Sequence, residues 1–171
     1  MSSGLASWLD HRIKRLQANA LTGIASSHLS RGCNEEALQA SWRAADLFQK
    51  SGDKAGLSVA LASVGNALLM AGKLPEARDC ALRSLAIHSE GRVSALILLG
   101  SLSISAGDYS QAIYWYSESL KASLGSKDLL GEGVALGGLA RAHRALGNFE
   151  RSAEYLELRQ GLAKSSRGLR L

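Results

Sequence analysis

Proline is almost missing from this 171-residue sequence: Pro75 is the only one. That removes the commonest helix breaker and leaves long helices open to the chain. Aromatic residues are scarce as well, at 5%, against 46% hydrophobic residues in all. A core must therefore be built from Leu, Ala, Val and Ile, which suits helices that approach closely. Two cysteines, Cys33 and Cys80, are too few for a disulfide scaffold and lack metal-ligand spacing. Cys80 reads as a small core residue and Cys33, beside a turn glycine, as a surface one. The longest apolar run, Ala95 to Gly100, is far short of the roughly 20 residues a membrane span needs. The start, Met1 to Asp10, has no secretory apolar segment. The expectation is a soluble, cytoplasmic, all-α protein.

What the sequence does have is a period. Gly32, Gly72, Gly107 and Gly147 recur 40, 35 and 40 residues apart, each followed five residues later by a small residue: Ala37, Ala77, Ala112 and Ser152. Eleven residues before each glycine stands a leucine (Leu21, Leu61, Leu96, Leu136). Three residues on come Ile24, Val64, Leu99 and Leu139, then the small residues Ala25, Gly65, Gly100 and Ala140. Apolar residues three and four apart share one helix face, and a small residue lets a neighbouring backbone come close. The glycine ends that helix in a left-handed cap. A second helix follows, with Ser41, Ala81, Tyr116 and Leu156 one turn beyond the small residue. Pro75 fits the first turn of its helix, where an N–H is not needed. A regular period of this size predicts a repeat array of about four helix-turn-helix hairpins.

The third hairpin carries Leu96, Leu99-Gly100, Gly107-Asp108-Tyr109, Ala112 and Tyr116, and the fourth Leu139-Ala140, Gly147-Asn148-Phe149 and Leu156. This pattern resembles the tetratricopeptide repeat over roughly residues 18–163. The family's signature tryptophan is leucine throughout, and its usual proline after the second helix is absent. The resemblance implies an α-α superhelix, a solenoid. Its repeats would span about 18–57, 58–92, 93–132 and 133–163, with a helical extension at 1–17 and a basic tail at 164–171. Two periods of 40 residues place extra residues at Gln49 to Lys54 and Leu124 to Asp128, between second and first helices. The 40-residue style is similar to the repeats of Pins/LGN polarity adaptors (G-protein signalling modulators) and of kinesin light chains. In the extension, Trp8, Leu9, Ile13 and Leu16 lie at helical spacing, so it either lengthens the first helix or forms a separate cap. No polar capping helix is evident after the fourth repeat.

Catalytic constellations are missing. His28 and His143 share one alignment column, which favours packing, and neither has a metal-ligand neighbour. There is no Gly-x-Ser-x-Gly elbow, and Gly131, Gly133, Gly137 and Gly138 lack the glycine spacing and the strand of a dinucleotide loop. No enzyme activity, cofactor or metal is expected. The net charge of +5 is dispersed, with denser clusters only at His11–Arg15 and Lys164–Arg170. A basic helical-repeat nucleic-acid binder is therefore the alternative, weakened by the want of interleaved aromatics.

The resemblance points instead to protein binding, as an adaptor or scaffold. In that family the first helices line a concave groove that takes a peptide or a partner helix. The matching positions are Asn19, Thr22 and Ser26; Ala62, Asn66 and Met70; Ile97, Ser101 and Ser105; and Gly137, Arg141 and Arg144. Asn66 has the donor and acceptor to hold a peptide backbone. Arg141 and Arg144, three apart on one face, either clamp an acidic group or pair with Glu150 or Glu154. Thr22 and Ser26 stand where the family's clamp for chaperone tails needs other residues. Apolar repeat ends imply self-association as a second mode, and no membrane partner is expected.

Overall fold

The computed structural model describes residues 2–168, and among them every regular element is helical. Leu169, Arg170 and Leu171, the end of the expected basic tail, lie outside the described residues. The chain forms two compact units, Met1–Ala95 and Leu96–Leu171. The first holds α1 (Ser2–Ser30), α2 (Asn34–Lys50), α3 (Lys54–Met70), α4 (Leu74–Ile87) and a 3-10 turn (Ser89–Gly91). The second holds α6 (Tyr109–Ser126), α7 (Leu129–Ala145) and α8 (Phe149–Gly168), while α5 (Arg92–Ser105) runs across the division. The extension does not form a cap of its own: α1 is one continuous helix of 29 residues.

Six of the seven interhelical joints share one chemistry. At Gly32, Gly72, Gly107 and Gly147 the backbone takes φ of 75, 75, 76 and 78°. The N–H of the next residue then reaches back to the carbonyl five earlier, as Cys33 donates to His28 and Asn148 to His143, both at 2.9 Å. This Schellman closure satisfies carbonyls that the helix end leaves bare. The extra residues of the two 40-residue periods, at Gln49 to Lys54 and Leu124 to Asp128, fall in the last turns of second helices and in the tight turns after them. Helix α2 continues to Lys50 and α6 to Ser126, so the extra residues lengthen helices. Gly52 (φ 70°) and Lys127 (φ 58°) then close the same kind of turn. Asp53, Asp108 and Asp128 cap the following helices, each accepting a backbone N–H at 2.9 Å.

The seventh joint, α4 to α5, has no left-handed residue; His88 is extended and the 3-10 turn follows. Two buried serines hold it. Ser84 Oγ donates to the Ser58 carbonyl at 2.7 Å, and Ser58 Oγ accepts the Gly91 N–H at 3.0 Å. A Cβ at Gly91 would stand 2.8 Å from the Ser58 carbonyl carbon, so only glycine lets the turn sit this close to α3. The shorter middle period is the sequence trace of this different joint.

Cores follow the repeat columns. In the first unit Phe48 packs with Ala18, Ala44, Ala45 and Ala60, and its ring lies against Gly56. In the second, Ala112, Tyr116, Leu139 and Ala142 form the centre, with Ile97, Ile104 and Tyr155 against them. Cys80 is buried, as its place in the pattern implies, and Cys33 is half-buried.

Candidate partner-binding faces

The predicted groove residues divide between the two units. In the first, Asn19 is exposed and lines a small cleft with Thr22, Val59, Asp53 and Glu90. Thr22 Oγ1 donates to the Ala18 carbonyl at 3.0 Å and Ser26 Oγ to that of Thr22 at 3.1 Å. Both hydroxyls are thus engaged within their own helix. Ala62 is buried and offers no surface, whereas Asn66 is half-buried and Met70 is exposed at the end of α3.

The second unit brings its residues into a more specific arrangement. Tyr116, 1% exposed, passes between α5 and α7. A Cβ on Gly100 would lie 2.8 Å from the ring on one side, and one on Gly138 would overlap it on the other. The two glycines thereby let a large ring cross a helix interface that would otherwise close. At its far end the hydroxyl meets Ser101 Oγ at 2.9 Å and accepts from Arg141 Nη2 at 3.2 Å. Ser105 Oγ donates to the Ser101 carbonyl at 3.1 Å, and Ile97 is half-buried in the core.

Gly137, Arg141 and Arg144 line a cleft of ≈ 360 Å³ between α7 and α8, together with Val134, Gly138, Ala140, Ser152, Leu156 and Arg159. No acidic side chain lines it. Among the described residues the ion pairs join Lys14 to Asp10, Lys50 to Asp46, Arg83 to Asp79 and Lys121 to Glu118. Arg141 and Arg144 are therefore not neutralised by Glu150 or Glu154. Arg159, which the sequence pattern did not single out, lies across Gly137: a Cβ there would stand 3.1 Å from its Nη1. The clue to it was available, three residues beyond Leu156 in the column that holds Tyr116.

Two of the four histidines behave as packing groups. His28 and His143, equivalent in the repeat, both bury Nδ1 without a hydrogen-bond partner. His143 stacks on Tyr155 with ring centroids 5.5 Å apart. Burial, and then the nearby Arg151 charge, hold its pKa below the ordinary imidazole value, against a smaller opposing pull from Glu154. Among the described residues no group of three or more His, Cys, Asp or Glu is placed to hold a metal ion. No described helix is long and apolar enough to cross a membrane.

Paired antiparallel helices joined by recurring glycine turns define a helical-repeat protein. More particularly, the tetratricopeptide repeat family model matches residues 16–90. No curated protein matches the sequence. Solved structures share the fold at low identity. The crystal structure of MamA aligns with a TM-score of 0.62 at 17% identity, over 88% of this chain and 81% of that one. BtubC (BKLC) from P. vanneervenii aligns at 0.69 and 15% identity, over 91% of this chain and 66% of its own. A putative kinesin light chain of Podosopora anserina with nearly identical TPR-like repeats aligns at 0.59 and 18%, over 96% and 88%. Repeats of this fold generally mediate protein–protein interactions and are generally non-catalytic.

Proposed function

We propose that this protein is a non-catalytic adaptor or scaffold of the cytoplasm, which takes a peptide or helix of a partner protein against the exposed side of its first-in-pair helices. The observation that carries the reading is the state of Arg141. Its guanidinium is tethered by the Tyr116 hydroxyl, itself gripped between two helices, and no carboxylate neutralises it. An arginine with its direction fixed and its charge unanswered is pre-organised for an acidic group, and less side-chain entropy is lost on binding. Ser101, Ser105, Arg144 and Gly137 extend this face in the second unit, and Asn19, Asn66 and Met70 supply its counterpart in the first.

The test is a pull-down from native lysate with the wild-type chain and a folded Arg141→Glu/Arg144→Glu variant. Loss of a defined protein partner in the variant supports the reading. Partners retained equally by both would refute this face as the site. Recovery of nuclease-sensitive material alone would replace it with the nucleic-acid alternative, whose affinity would fall steeply with salt.

A further inference from the structure

We propose that the first unit carries a binding site for a compact polyphosphate, free or as the headgroup of a lipid, in a recess between α1 and the start of α3. The proposal goes beyond the protein-binding reading and does not rest on it, since Arg141 and Arg144 belong to the other unit. It takes up the basic cluster at His11–Arg15, which that reading leaves unused. Trp8, His11, Arg12 and Arg15 stand at i, i+3, i+4 and i+7 of α1 and so share one helix face. All four precede residue 16, where the family match begins. That face lines a recess of ≈ 600 Å³, and Lys54 at the start of α3 and His88 at the α4–α5 joint help to complete its lining. These segments lie far apart in the chain, so the meeting of their charges is a product of folding and not of one exposed helix.

Three permanent cations, Arg12, Arg15 and Lys54, meet there, and none belongs to the ion pairs found among the described residues; nearby Asp10 is held by Lys14. Arg12 rests on the Trp8 ring, 5.1 Å from its centroid, which steadies the guanidinium without cancelling its charge. The one carboxylate in the lining, Asp53, caps α3 by accepting the Gly56 N–H at 2.9 Å. His88 Nδ1 accepts the Glu90 N–H at 3.3 Å, so the neutral ring carries its proton on Nε2 and keeps a donor. Lys54 and Ala55 bring the positive end of the α3 dipole to the same place. Positive charge gathered in a concave site concentrates anions of high charge density. A carboxylate offers one charge, whereas a phosphate monoester offers about 1.5 to 2 and three acceptor oxygens. The recess has room for more than one such group, and its cations come from more than one segment. A nucleic-acid strand fits less well, because it needs a run of stacking rings and Trp8 is already engaged by Arg12.

The experiment is isothermal titration calorimetry of the full chain with inorganic phosphate, pyrophosphate and tripolyphosphate at fixed ionic strength. Affinity is expected to rise along that series, with one site per chain. Arg12→Gln/Arg15→Gln/Lys54→Gln should lose about a hundredfold or more for tripolyphosphate, and the charge-matched Arg31→Gln/Arg43→Gln/Arg78→Gln little. Circular dichroism establishes that both variants remain folded. Should the first unfold, the single exposed exchange Arg15→Glu keeps the test open and should cost about tenfold. Sedimentation with phosphatidylcholine vesicles, with and without a phosphoinositide, separates the two sources. Capture by the phosphoinositide vesicles that tripolyphosphate competes away makes the ligand a headgroup; otherwise it is a free polyphosphate. Absence of binding to all three anions, or phosphate held as tightly as tripolyphosphate, would overturn the site. Equal losses in the two triple variants would reduce the effect to general charge and overturn it too. Tighter binding to a single-stranded oligonucleotide, growing with its length, would make the recess part of a nucleic-acid track and likewise overturn the proposal.

Discussion

Adjacent glycines on α7, Gly137 and Gly138, are predicted to respond in opposite directions to the same substitution. Replacing either by alanine in a helix gains about 1 kcal/mol of backbone propensity. At Gly137 the added methyl meets only the end of Arg159, a flexible side chain that can swing aside. Gly137→Ala therefore stabilises by about 0.5–1 kcal/mol. At Gly138 the methyl overlaps the Tyr116 ring, which is buried and has Gly100 of α5 close behind it. Overpacking of a ring with no retreat costs about 3 kcal/mol, so the net loss is about 2 kcal/mol after the propensity gain. For a chain of this length that is a drop of roughly 4–8 °C in Tm, against a small rise for the neighbour. Urea midpoints and Tm measured for the two variants side by side check the pair. Tyr116→Leu should partly relieve Gly138→Ala, as a double-mutant cycle would register. Equal stabilisation by the two alanines would refute the packing assigned to Tyr116.

Much of this architecture was written in the sequence because it depends on local chemistry. The four turn glycines mark four left-handed caps, and the leucine and small-residue columns mark the faces that pack. The extra residues of the two longer repeats lengthen α2 and α6, and Gly52 and Lys127 then close the turns in the left-handed conformation. The site was legible only in part. Arg141 and Arg144 followed from helical phase, but the tether between Arg141 and Tyr116 spans 25 residues, and no local pattern encodes such a meeting. Ala62 shows the reverse failure: the resemblance and helical phase assigned it to the groove surface, yet it is 1% exposed. Whether a helical position meets solvent or another helix depends on what stacks beside it, and a single hairpin's periodicity does not contain that.

Three further outcomes are expected. Gly100→Leu, which drives a branched side chain into the Tyr116 ring from the other side, should destabilise by more than about 3 kcal/mol, measured by urea unfolding. Lys127→Gly removes the strain of a left-handed non-glycine residue at the end of α6 and should raise stability by about 0.5–1 kcal/mol; a lower urea midpoint in the variant would refute this. His143 gives the chain an acid sensitivity whose sign follows from its half-buried ring. The folded state holds the imidazole pKa below the ordinary value while the unfolded state does not, so between those two values the unfolded chain binds more protons. Stability is unaffected above the ordinary imidazole pKa of about 6.5 and falls as the pH drops from there toward the depressed folded value. His143→Phe keeps the stacking on Tyr155 and cannot titrate, so its unfolding midpoint should be flatter with pH across that window. An unchanged slope in the variant would show that the ring is solvated in the native state and that its unpartnered Nδ1 carries no penalty.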